Sequence, residues 1–197
     1  MTVRLLPLAL IGVLLAAGCA TKPADHTAPS GSGPVFGGYR DDSTNPTDAA
    51  ERRAVAKVRE FYDTWSRLEG NPVAPLDQLR AVADDPILTA WTEDILVRRS
   101  QSIIGSGAFR VVDATATDAG IPQRPKDTGA PAWVHVRVCL DISGLTWHDH
   151  DGVPSVDPKR PQRVRADLTV RDHAYPDPNG WRVTGDSAPQ YAPCADS

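Results

Sequence analysis

The apolar positions of this chain change period once, and the change divides the folded part in two. Val55, Val58, Tyr62, Trp65 and Leu68 recur at spacings of three and four, which places them on one face of a helix. Pro46 restricts the chain ahead of it, Asp48 can cap it and Glu51 completes a capping-box spacing. The helix is therefore expected from about Asp48 to Leu68, ended by Gly70 and Pro72. Leu76, Leu79 and Val82 predict a short second helix between Pro75 and Ala83. Pro86, after Asp84 and Asp85, opens a third that carries Ile87, Leu88, Trp91, Ile95 and Leu96, with Arg98 and Arg99 suited to its C-terminal end.

Beyond Gly105 the period becomes two, as in half-buried strands. The clearest strand runs from Ala132 to Ile142: Val134, Val136, Val138, Leu140 and Ile142 face one way, and Trp133, His135, Arg137, Cys139 and Asp141 the other. Phe109 to Thr117 predicts an earlier strand. Val164, Ala166, Leu168 and Val170 mark a third, and Gly180 to Thr184 a short fourth, antiparallel to the third. Turn-forming residues separate them at 120–131, 147–161 and 176–180. Helices followed by strands predict an α+β domain over residues 48–197, its N-terminal helices covering one face of an antiparallel sheet of about four strands.

The first 47 residues have a different composition. Leu5 to Ala17 is a 13-residue apolar run behind Arg4, interrupted by Pro7 and Gly12 and closed by Leu15-Ala16-Ala17-Gly18-Cys19. A helix crossing a bilayer needs about 20 apolar residues, so the run reads as a signal peptide over 1–18. The small residues ahead of Cys19 suit cleavage before it and acylation of its thiol and new amino terminus. From 19 to 47 the chain is a lipidated tether: Pro23, Pro29, Pro34, Pro46 and four glycines leave almost no aliphatic side chains. Such a coil spans about 30 Å end to end. These signs place the protein on the extracytoplasmic face of the cell membrane, held by its lipid.

Lipidation leaves two of the three cysteines, Cys139 and Cys194. In an oxidising compartment the pair admits one connectivity, so a Cys139–Cys194 disulfide is expected. Removal of the leader takes Arg4, so 20 of the 21 Lys+Arg remain against 25 Asp+Glu, a formal charge of −5. No basic stripe stands out, which argues against nucleic acid as a partner. His148-Asp149-His150-Asp151 is the one string with metal-binding residue types, yet alternating neighbours ahead of Gly152 cannot readily converge on one ion. It reads as a solvated hairpin loop; no metal and no cofactor is expected.

The order of elements, the aromatic helix Val58-Arg59-Glu60-Phe61-Tyr62-Asp63-Thr64-Trp65, the strands Val138-Cys139-Leu140-Asp141 and Gly180-Trp181-Arg182-Val183, and the late Cys194 together resemble secreted lipoproteins of high-GC Gram-positive bacteria. Those proteins belong to the nuclear-transport-factor-2-like, cone-shaped superfamily. The resemblance covers about Asp48 to Cys194. It implies a curved sheet wrapped around helices, a cysteine pair tying the C-terminal tail to the sheet, and in many members a homodimer through the open sheet face. The superfamily includes ketosteroid-isomerase-like enzymes, dehydratases and non-catalytic binding domains, so fold leaves function open.

Two functional readings follow. The first is a non-catalytic binding or accessory module of the cell envelope, meeting an envelope protein or wall component. Trp133, His135 and Arg137 on the outer strand face, with Trp147, form its candidate interaction patch, because aromatics beside arginine are typical anchors. The same residues can instead pack beneath the tail that Cys194 pins to the sheet. The alternative is a small-molecule enzyme whose pocket holds the Tyr62 phenol between Trp65 and Trp91. No position matches the isomerase-like family's catalytic aspartate or oxyanion tyrosine, so catalytic residues stay unassigned.

Overall fold

A computed structural model describes residues 45–123, 129–186 and 194. The expected leader, Cys19 and the stretch up to Thr44 lie outside the described residues. Helix α1 spans Pro46–Glu69, and its start differs from the expected one. Asn45, not Asp48, is the N-cap: its side-chain oxygen accepts from the Thr47 amide at 3.0 Å, and Pro46 takes the first turn, where no amide is needed. Asp48 instead accepts from the Asn45 side chain. Ala50, Ala54, Val58, Phe61, Tyr62, Trp65 and Leu68 are the buried face. Phe61 thus joins the stripe, while Val55 is only half-buried.

Residues Leu76–Ala81 form a 3-10 helix, shorter and tighter than the expected second helix. Helix α2, Ile87–Ser100, buries Ile87, Leu88 and Ile95. Leu96 was expected on that face but is 51 % exposed, because it lies about 100° round the helix from Ile95.

The main sheet has the order β2-β3-β5-β6, all antiparallel, from Arg110–Gly120, Ala132–Asp141, Arg163–Asp172 and Trp181–Asp186. Its inner face carries Val134, Val136 and Val138 of β3, all fully buried, beside Ala166, Leu168 and Val170 of β5 and Val183 of β6. Helix α1 packs on this face. Two register shifts in β2, at Val111/Asp113 and Ala116/Asp118, and one in β6, where Thr184 is the extra residue opposite Thr169/Val170, bend the strands locally. The outer edge of β6 is covered by residues 82–84: Val183 donates to the Val82 carbonyl and accepts from the Asp84 amide.

Two short strands add to the expected four. β1, Ile104–Ser106, pairs antiparallel with β4, Thr146–His148, in a separate two-stranded sheet. Trp147 therefore sits in a strand and not at the start of a loop. Phe109 stands before β2 rather than in it, and its amide donates to the Ser66 hydroxyl of α1 at 3.0 Å. Cys139 on the outer face of β3 and Cys194 form the expected disulfide, with Cα atoms 5.6 Å apart.

Candidate functional site

Positions 62, 65 and 69 of α1 lie on one side of the helix and supply Tyr62, Trp65 and Glu69 to one end of the core. The Trp65 ring stacks on Phe109 at 4.0 Å between centroids and touches Trp91 of α2. Tyr62 packs against Phe109 at 5.7 Å, and Trp147 of β4 meets Phe109 edge-on. These rings wall a cavity of about 260 Å³. Leu140, Ile142, Leu145, Val164 and Ala166 supply its aliphatic side, and Asp94, Arg98, Arg160 and Asp186 its polar groups. Tyr62, Trp65 and Trp91, the three pocket residues expected from the sequence, all line it.

Glu69 organises this wall although it is itself buried. Its Oε1 accepts from Trp65 Nε1 at 2.8 Å and from Arg98 Nη2; its Oε2 accepts from Arg98 Nε at 3.1 Å and Trp147 Nε1 at 3.1 Å. Four donors thus satisfy one carboxylate and lock two indoles and a guanidinium into place. Burial works against the charge of Arg98, but the hydrogen bonds to Glu69 and Asp94 outweigh it and hold its pKa above the usual value. Close approach makes this possible: a Cβ on Gly105 would sit 2.8 Å from the Glu69 Cβ, so only glycine lets β1 pass here. Arg99, the next residue, turns the other way and donates to the carbonyls of Leu68, Asn71 and Ala74, closing the end of α1. Both arginines thus reach across to α1.

A phenol and a carboxyl of the pocket stand outside that network. Tyr62 is 4 % exposed, and its hydroxyl makes no hydrogen bond among the described residues. Burial, helped by the nearby Asp186 charge, pushes the phenol well above its usual range, so it stays protonated. Asp186 ends β6 with one side open to solvent. Partial burial raises its pKa, and a hydrogen bond from its own amide opposes this. The lining therefore holds a neutral hydroxyl donor beside an acid whose proton is held more tightly than usual.

The candidate interaction patch does not form as one surface. Trp133 and His135 lie with ring centres 4.8 Å apart, tilted at 58°, on the outer face of β3, and Arg137 pairs with Asp167 at 2.8 Å. Trp147 lies apart from them, because β4 pairs with β1 and turns the indole onto Glu69. Trp133 also packs over Gly120, where a Cβ would fall 2.2 Å from its indole nitrogen. In the 148–151 string, Asp149 accepts from the Asp151 and Val153 amides and His150 pairs with Asp151 at 3.2 Å. Among the described residues, no three His, Cys, Asp or Glu side chains are grouped to hold a metal ion.

Glu69, Asp94, Arg98, Phe109, Arg160 and Asp186 are the polar and aromatic site residues that sequence reasoning misses. The Trp65–Glu69 spacing of four on one helix was a readable signal.

No protein-family model matches this chain, and no curated protein does. Among solved structures, the crystal structure of the intermembrane space region of the chloroplast protein ARC6 is similar at 14 % identity and a TM-score of 0.43. That match covers 68 % of this chain and 94 % of the other.

Proposed function

We propose that this chain is a small-molecule-binding module, tethered through an acylated Cys19 to the extracytoplasmic face of the cell membrane. In this reading the four-stranded sheet and its helices are a nuclear-transport-factor-2-like cone, and the aromatic cavity is its ligand site. The observation that carries it is the cavity itself: about 260 Å³, walled by Tyr62, Trp65, Trp91, Phe109 and Trp147, and built around a carboxylate whose hydrogen bonds are already satisfied. Preformed apolar walls with a few polar groups are the usual makeup of a ligand site. Drug-sized sites run about 300–1,000 Å³, so the ligand here is compact.

The binding test is the indole ¹⁵N–¹H spectrum during titration with bicyclic aromatics. Saturable shifts of Trp65 and Trp91 are expected, and their absence at millimolar concentration overturns the pocket reading. The anchor is tested separately by the mass of the mature N-terminal peptide, where a free Cys19 thiol rejects it.

One observation favours an acid–base enzyme as the second reading: Tyr62 and Asp186 share the pocket. In isomerase or dehydratase chemistry Asp186 would take a proton from carbon while the Tyr62 hydroxyl donates to the developing enolate oxygen. Protein-catalysed deuterium exchange into 2-tetralone, lost in Asp186→Asn, would support this reading; exchange at the buffer rate would leave only binding.

A further inference from the structure

We propose that Arg160 makes this cavity selective for compact apolar ligands that carry a carboxylate. The inference rests on the pocket reading above and adds the chemistry of the ligand's polar end. Arg160 comes from the turn before β5, and its guanidinium lies 5.9 Å from the centre of the Trp147 ring. One nitrogen, Nη2, donates to the carbonyls of Ile142 and Leu145. Nε and Nη1 make no hydrogen bond among the described residues, and neither is a buried orphan. A guanidinium has five N–H donors and no acceptor, so with Nη2 committed to two carbonyls the Nε and Nη1 hydrogens remain, each able to donate a single charge-assisted hydrogen bond to a ligand carboxylate.

The charge balance of the lining singles out the same residue. The other lining cation, Arg98, is committed to Glu69 and to Asp94, the latter at 2.7 Å. Arg160 meets two carbonyl oxygens and the Trp147 ring, and no carboxylate among the described residues lies within ion-pair distance of it. Two acids also line the cavity. Asp94 is paired with Arg98, and Asp186 is exposed at the end of β6, where water screens its charge. A carboxylate bound at Arg160 would leave its apolar body among Leu145, Ile142, Trp147 and Phe109.

The test compares 2-naphthoate with its neutral isostere 2-naphthamide on the purified protein, by calorimetric titration at low salt. The wild type is expected to bind the carboxylate about tenfold more tightly than the amide. Arg160→Gln should bring the two within about twofold, chiefly by weakening the carboxylate, and Arg160→Lys should keep most of the preference, with a steep salt dependence. Equal affinities in the wild type overturn the proposal while leaving the pocket reading intact. Retention of the full preference in Arg160→Gln does the same. Binding of neither compound overturns both. The wild-type ratio decides the matter even if Arg160→Gln fails to fold.

Discussion

Arg98 of α2 and Glu69 of α1 form a two-pronged ion pair across 29 residues of sequence, and this pair fixes one wall of the cavity. Glu69 is almost fully buried while Arg98 keeps a solvent-facing edge. Breaking one half of a buried pair leaves the other charge uncompensated, which costs more than the pair itself contributes.

Glu69→Gln is therefore expected to destabilise the fold by about 3 kcal/mol in equilibrium urea unfolding. Adding Arg98→Met to it should recover part of that loss, since the cation left with Asp94 as its one carboxylate partner is then gone. A double variant less stable than the single one by the full cost of a second independent lesion would show that the two residues are not coupled.

The Tyr62 hydroxyl has no partner among the described residues, so its removal sacrifices no hydrogen bond. Tyr62→Phe should leave stability within about 0.5 kcal/mol of wild type. A loss of several times that in thermal unfolding would mean that the phenol is held by the protein and is not offered to a ligand.

Asp172 at the end of β5 is fully buried. One oxygen accepts from the Ala174 amide at 2.8 Å and the other has no partner, and burial raises its pKa. The folded state thus holds this proton more tightly than the unfolded chain does. The resulting stabilisation is complete below about pH 4 and is lost as pH rises through the native value. Asp172→Asn, neutral at every pH, should unfold at higher urea than wild type at pH 7, with the gain shrinking toward pH 4. A less stable variant at pH 7 would contradict this account.

The Cys139–Cys194 bridge closes a separation of 55 residues. On the chain-entropy view its loss costs up to about 4 kcal/mol. Cys194→Ser should unfold at lower denaturant concentration than oxidised wild type and match wild type in reducing buffer. If reduction leaves the wild-type midpoint unchanged, the bridge contributes nothing to stability.

What could be read along the chain were the features that repeat locally. The alternation of Val134, Val136 and Val138, and the three-and-four spacing of Val58, Tyr62, Trp65 and Leu68, report burial directly, because backbone geometry turns a period into a face. With Cys19 expected to carry a lipid, the other two cysteines admit one pairing, so the disulfide was legible too. Three-residue strands escaped: Ile104–Ser106 and Thr146–His148 are too short to show a period and exist only as each other's partner. The site escaped for a related reason. Arg98 and Arg99 suit a helix C-terminus in sequence, yet one seeks Glu69 and the other three carbonyls at the end of α1. Trp147 reaches the same Glu69 from 78 residues away. A hydrogen bond is decided by where two atoms arrive in space, and nothing near Glu69 in the chain encodes the arrival of Arg98 or Trp147. Local periodicity thus determined which side chains go inward, and only the packing of α1, α2 and β4 decided which of them meet to enclose a cavity.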